Sequence, residues 1–103
     1  MIEIDKSIIE SALFQWGDDL NIDILIEEMA ELTHALIHSR RGGCRKYQTN
    51  QVIDETADVL ICLESLKRIL QKDLMREGGV DTLLQDYIDE KIHRLNRRLA
   101  ESQ

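Results

Sequence analysis

The sequence predicts an all-α fold built around a long helical hairpin. It contains no proline, only five glycines and few aromatic residues, a composition that favours helices. Apolar residues recur every three or four positions along most of the chain, as on one face of a helix. Two acidic clusters, Glu28-x-x-Glu31 and Glu55-x-x-Asp58, are symmetric about Gly43. A hairpin that turns near Gly43 would place the two clusters level with each other.

Length, charge and cysteine content limit the function classes. A chain of 103 residues is expected to form a single domain, residues 1–103, that gains from oligomerisation. The net charge of −7 argues against a nucleic-acid partner. Cys44 and Cys62 form neither a disulfide framework nor a metal motif. Apolar runs are short and interrupted by charge, so we expect no signal peptide, no membrane partner and a cytoplasmic location.

The first predicted helix spans residues 5–16. Asp5 or Ser7 can cap its start, and Gly17 suits its end. Trp16 is either a core residue or a flat wall beside a ligand cavity. The apolar positions that define the helix are Ile8, Ile9, Ala12, Leu13 and Trp16.

The second predicted helix spans residues 18–39 and carries the first acidic cluster. Glu28 falls at the border of its apolar stripe, about 60° from Leu25 at a rotation of roughly 100° per residue. Glu28 is therefore expected to be half-buried, whereas Glu27 fits a solvated face. The central stripe consists of Leu25, Met29, Leu32 and Leu36.

Residues 40–48 are predicted to form the tip of the hairpin. The segment is basic although the chain as a whole is acidic. Most loop charges of this kind are simply solvated, but one or two of these could contact a phosphate. The basic residues are Arg40, Arg41, Arg45 and Lys46.

The third predicted helix spans residues 49–72, with Thr49 or Asn50 as its cap. Glu55 lies at the edge of the buried face and Asp58 one step farther out, which repeats the arrangement at Glu28. Chance acidic clusters would more often face fully outward. The predicted buried face consists of Val52, Thr56, Val59, Leu60, Leu63, Leu66 and Leu70.

The last predicted helix spans residues 80–100, after Glu77-Gly78-Gly79. Lys91 lies within its apolar stripe, with Arg94 and Arg98 at the edge. These cations either extend from partly buried sites into solvent or reach a bound polyanion. The stripe consists of Leu84, Ile88, Leu95 and Leu99.

Four carboxylates that converge across the hairpin would repel one another and raise each other's pKa. A hard divalent cation with oxygen ligands removes this repulsion, and Mg²⁺ is the usual choice for phosphate chemistry. The residues themselves therefore point to a metal site formed by Glu28, Glu31, Glu55 and Asp58.

The two acidic segments carry a family resemblance. Glu27-Glu28-Met29-Ala30-Glu31 followed by Glu55-Thr56-Ala57-Asp58 resembles the E-E-x-x-E … E-x-x-D signature of the MazG-like all-alpha nucleoside triphosphate pyrophosphohydrolases. Trp16-Gly17 and the stretch from Lys91 to Arg98 are also similar to the family, so the resemblance covers most of the chain. It implies that hairpins of two chains pair into a four-helix bundle, in a homodimer or homotetramer.

The resemblance also implies an activity, the hydrolysis of a nucleoside triphosphate between its α- and β-phosphates. By position, the four acids of the two clusters would bind Mg²⁺, or Mn²⁺ in its place. Glu27 would be an accessory acid, and either Glu27 or Glu31 could accept the proton of the attacking water. The candidate substrate-binding residues are Trp16, Lys46, Lys91, Arg94 and Arg98.

Two other classes compete with this interpretation. A di-iron carboxylate bundle would use Glu31-x-x-His34 and Glu90-x-x-His93, but both histidines project opposite their apolar stripes. A non-catalytic helical module that binds nucleotide or dimerises would use the acids only for solvation. Both the enzyme and the module are expected to self-associate, because several isoleucines flank the stripes and need a partner surface: Ile24, Ile26, Ile37, Ile61 and Ile69.

Overall fold

The computed structural model describes residues 1–41, 45–74 and 78–102, without the side chains of residues 45–48. Over these ranges the chain forms three α-helices and no strand, which confirms the all-α prediction. The helices are α1 (Lys6–Arg41), α2 (Arg45–Gln71) and α3 (Gly79–Glu101). They belong to two compact units, Met1–Ile69 and Leu70–Gln103. A four-helix bundle, which the resemblance implied, is not seen in the described part of this single chain.

Helix α1 contains both of the first two predicted helices, which meet at Gly17. Its start is capped by Asp5, whose Oδ1 accepts hydrogen bonds from the backbone N–H of Ser7 at 3.0 Å and of Ile8 at 3.4 Å. The Ser7 hydroxyl also donates to Asp5 Oδ1, at 2.7 Å. These bonds stabilise the charged carboxylate and lower the pKa of Asp5, with the Ser7 side chain as the largest cause. Of the two predicted caps, Asp5 is therefore the one that the chain uses.

Gly17 forms a kink that separates two helical segments within α1. Its backbone has φ 81° and ψ 171°, a conformation that essentially only glycine adopts. The side chain of Asn21, only 6 % exposed, spans the kink. Its Nδ2 donates to the carbonyl of Gly17 at 2.6 Å and to that of Ala12 at 3.3 Å. The predicted end of the first helix at Gly17 is thus confirmed as a kink at which the helical backbone geometry is interrupted.

Helix α2 begins earlier than predicted. It starts at Arg45, so Thr49 and Asn50 lie inside the helix and do not cap it. Arg40 and Arg41 are exposed in the last turn of α1. The predicted tip of nine residues is therefore too long at both ends. Residues 42–44, including Gly43, lie outside the described residues.

Helices α1 and α2 form the predicted antiparallel hairpin. Arg68, near the end of α2, donates from Nη1 to Oε1 of Glu10, near the start of α1. Farther along, Glu28 of α1 interacts with Asp58 of α2, and Glu55 of α2 interacts with Glu31 of α1. The two acidic clusters are therefore level with each other, as their spacing predicted.

From the burial pattern we infer that the two helices meet along a seam of positions with alternating spacings of four and three residues, typical of packed helix pairs. Met29 and Leu36, which were predicted to be central on α1, are exposed, and the small Ala35 is buried in their stead. Leu63 and Leu70, predicted to be buried on α2, are exposed as well. The seam contains Asn21, Leu25, Glu28, Leu32, Ala35 and Ser39 of α1. On α2 it contains Val52, Glu55, Val59, Cys62, Leu66 and Ile69.

Helix α3 belongs to the second unit and starts one residue before the predicted position. The side chain of Gln71 accepts a hydrogen bond from the backbone N–H of Val80 at 2.7 Å, which connects the end of α2 to the first turn of α3. No residue of α3 is buried, and its apolar stripe is exposed. Over the described ranges, none of the three helices contains an apolar stretch of the length that a membrane span requires.

Candidate metal centre

Carboxylates from both helices of the hairpin converge at one level. Carboxylate oxygens of Glu28, Glu31 and Glu55 lie within 4.8 Å of one another. A second group of the same size is formed by Asp54, Glu55 and Asp58. Glu55 belongs to both groups, so the five acids make a continuous cluster, hereafter the acid cluster. Two of its members, Glu28 of α1 and Glu55 of α2, lie on the seam.

Glu28 and Glu55 occupy seam positions that apolar side chains fill in an ordinary helix pair. Both are half-buried. The Oε2 atoms of both residues are buried and accept no hydrogen bond from any donor in the described residues. Buried polar atoms without a partner cost stability, so natural proteins rarely keep them without a functional reason. The acid cluster therefore contains two oxygen atoms that a cation could satisfy.

Burial and mutual repulsion raise the pKa of Glu28 from an ordinary 4.5 to about 7. Burial is the largest cause, followed by the charges of Glu31 and Asp58. A hydrogen bond shared with Asp58 and the charge of Glu55 add to the shift. Without a cation, Glu28 is therefore protonated at pH values below about 7.

The pKa of Glu55 is raised for the same reasons. Burial is again the largest cause, and the next are the charge of Glu31 and a hydrogen bond shared with Glu31. Asp58 and Asp54 add smaller electrostatic contributions. Two pairs, Glu28 with Asp58 and Glu31 with Glu55, thus each bridge the helices. Without a cation, the repulsion within each pair favours the protonated forms of Glu28 and Glu55.

Cys62 is the neighbour of the acid cluster on the seam, one helical turn after Asp58. Burial raises the pKa of its thiol, and the charges of Glu28 and Asp58 raise it further. The thiol therefore stays protonated and adds no negative charge to the cluster. This leaves a donor set of carboxylate oxygens alone.

The structure places the predicted site residues in the acid cluster, on the exposed surface of α1 and on the exposed surface of α3. The predicted metal ligands Glu28, Glu31, Glu55 and Asp58 meet in the acid cluster. Glu27 is exposed on α1, beside the cluster in sequence. Trp16 is 53 % exposed and is therefore not a core residue. The side chain of Lys46 lies outside the described residues. Lys91, Arg94 and Arg98 are exposed on α3, in the second unit.

Sequence reasoning missed one member of the cluster, Asp54. The prediction used only the E-x-x-D spacing of Glu55 and Asp58. Asp54 precedes Asp58 by four residues, and residues four apart share a helix face. That spacing was the signal that could have identified Asp54 as a candidate ligand.

No protein family, curated protein or solved structure was found to match this chain. The acid cluster and its surroundings are therefore the basis for any functional proposal.

Proposed function

We propose that the protein is a Mg²⁺-dependent nucleoside triphosphate pyrophosphohydrolase of the MazG-like kind. The observation that carries the proposal is the level placement of Glu28, Glu31, Glu55 and Asp58 across an antiparallel helix pair. The resemblance of these segments to the family's acidic signature supports the choice of reaction. Under this proposal the products are a nucleoside monophosphate and pyrophosphate.

The donor set fits a hard divalent cation. Mg²⁺ and Mn²⁺ prefer carboxylate oxygens, whereas softer metals favour thiolate or imidazole ligands. The two buried oxygens without a hydrogen-bond partner, on Glu28 and Glu55, are the atoms that most need a cation. Bound there, the metal would neutralise charge on the phosphates and on the leaving pyrophosphate.

The protein's own residues have separate roles in this proposal. Glu28, Glu31, Glu55 and Asp58 hold the metal site, and the helix pair keeps them in place before substrate arrives. Glu31 is more exposed than Glu28 and Glu55, so it can both bind a cation and face an incoming water. Glu27, exposed on α1 just before Glu28, is the alternative acceptor of the water's proton. Trp16, Lys46, Lys91, Arg94 and Arg98 remain the candidates for contacts with base and phosphates.

A nucleotide panel tests the proposed reaction. We expect Mg²⁺-dependent release of pyrophosphate from at least one nucleoside triphosphate, together with the monophosphate and without free phosphate. Mn²⁺ should replace Mg²⁺, because both accept oxygen ligands. The helical nucleotide-binding or dimerisation module would bind without release. Absence of pyrophosphate across ribo- and deoxyribonucleotides, with either metal, would reject the enzyme and favour the module.

We also propose that the chain functions as a homodimer or homotetramer. Among the described residues, the buried hydrophobic side chains are Ile9, Leu25 and Ala35, which is a small core. Of the isoleucines predicted to need a partner, Ile26, Ile37 and Ile61 are each at least 45 % exposed. An apolar cleft of about 380 Å³ also separates the N-terminal segment from Ile53, Ala57 and Leu60 of α2. Exposed apolar surface on this scale is typical of proteins that associate.

Sedimentation velocity at micromolar concentration measures the assembly. We expect a dimer or a larger species, since a second hairpin would cover the exposed isoleucines. Ile26→Glu should shift the distribution toward smaller species, because a charge in the interface opposes association. Gln15→Glu, which adds the same charge at an exposed polar position of α1, is the control and should sediment as wild type. A wild-type monomer at this concentration would contradict the proposal.

A further inference from the structure

Two histidines stand one helical turn apart near the end of α1. His34 and His38 are both exposed, and their ring centroids are 6.4 Å apart with the planes inclined by only 10°. Residues four apart share a helix face. Neither ring belongs to the acid cluster, and the proposed hydrolysis uses neither of them.

We propose that His34 and His38 form a binding site for a transition-metal dication such as Ni²⁺, Cu²⁺ or Zn²⁺. Neutral imidazole is a preferred ligand of these ions, and two histidines at this spacing on one helix face can bind a single ion. Both side chains are exposed, so their rings can turn toward a shared ion without disturbing packing. The parallel, neighbouring rings already lie on the same side of α1.

The surroundings of the pair favour a cation. Glu31 of the acid cluster lies three residues before His34 and therefore on the same face, about one turn from that imidazole and two turns from the imidazole of His38. His38 lies in the last turn of α1, where the helix dipole is negative. Arg41, three residues after His38, opposes these contributions. The two imidazoles make a nitrogen donor set, which is distinct from the all-oxygen acid cluster.

Calorimetric titration of the tag-free, reduced protein with Ni²⁺, in excess Mg²⁺, tests the site. The Mg²⁺ occupies oxygen sites but competes poorly for imidazole. We expect one Ni²⁺ per chain, and a loss of affinity of about tenfold or more in His34→Ala and in His38→Ala. His93→Ala, which removes the exposed histidine of α3, is the matched control and should bind as wild type.

A spacing variant separates a two-histidine site from a general effect of histidine content. Exchanging the residues at 36 and 38, by Leu36→His together with His38→Leu, keeps the composition but places the histidines two apart, on different faces. We expect it to bind as weakly as His38→Ala, with unchanged helix content by circular dichroism. Wild-type affinity in His34→Ala or in the exchange variant, or no Ni²⁺ binding by wild type, would overturn the proposal. Equal loss in His93→Ala would do so too.

Discussion

Glu55→Gln is expected to lower Mg²⁺-dependent pyrophosphate release by more than about 100-fold, because a direct metal ligand is lost. Glu55 belongs to both carboxylate groups of the acid cluster, and its buried Oε2 has no hydrogen-bond donor among the described residues. Glutamine keeps the size of the side chain but removes the charge. Replacing a residue that only supports a metal ligand typically costs about 10–100-fold, so loss of the ligand itself should cost more. Initial rates at saturating nucleotide measure the effect.

The control for this variant is Glu90→Gln. Glu90 is exposed on α3 and outside the acid cluster, so the same chemical change there should leave the rate within about twofold of wild type. Circular dichroism should show equal helix content in both variants. If Glu55→Gln retains more than a tenth of the wild-type rate while Mg²⁺ is still required, the acid cluster is not the catalytic metal site.

The second large effect concerns pH and the stability of the metal-free protein. In chelator, we expect the melting temperature to fall as pH rises from about 4.5 to about 7, because the pKa of Glu28 is 4.5 in its ordinary state and about 7 in the folded chain. Below the lower value the acid is protonated in both states. Between the two values the unfolded chain releases a proton that the folded chain retains, so stability decreases with rising pH. Above the higher value Glu28 is ionised in both states, so its charge repels the other acids of the cluster fully and stability changes no further with its titration.

The cap at Asp5 makes stability increase with rising pH, which is the opposite direction, but it does so in a lower pH range. Its pKa is lowered from 3.8, so its contribution to stability is present above that value and is lost only as pH falls below it. The two effects therefore do not overlap between pH 4.5 and about 7. A fall in melting temperature over this range therefore does not come from the cap, and we assign it to the acid cluster as a prediction.

Two variants and Mg²⁺ test that assignment. Glu28→Gln should flatten the pH dependence, because glutamine has no proton to release. Glu55→Gln should be at least as stable as wild type in chelator, since repulsion decreases. Mg²⁺ should stabilise wild type more at about pH 7.5 than at about pH 5 by binding only the folded state. A much lower melting temperature of Glu55→Gln in chelator, or equal stabilisation of both proteins by Mg²⁺, would indicate that these acids form structural ion pairs.

The sequence was sufficient for the all-α class, for α3 and for the level of the two clusters. Helical periodicity and the glycines located α3 to within one residue at each end. The symmetric positions of the clusters predicted their meeting, because antiparallel helices have the same rise per residue. Helix α2 was less well predicted: Thr49 and Asn50 have good capping chemistry but lie inside the helix. Capping preference is a local property of a residue, and it does not stop α2 from beginning four residues before Thr49.

Only the tertiary structure decided which stripe of each helix forms the seam. On α1, Met29 and Leu36 make one plausible stripe, and Glu28 and Ala35 make its neighbour about 100° away. Periodicity within one helix cannot choose between them, because the choice depends on what the opposite helix presents. Burial of Ala35 brings Glu28 from the predicted border into the seam. That shift, together with Glu55 on α2, creates the buried oxygens and the raised pKa values on which the proposed metal site depends.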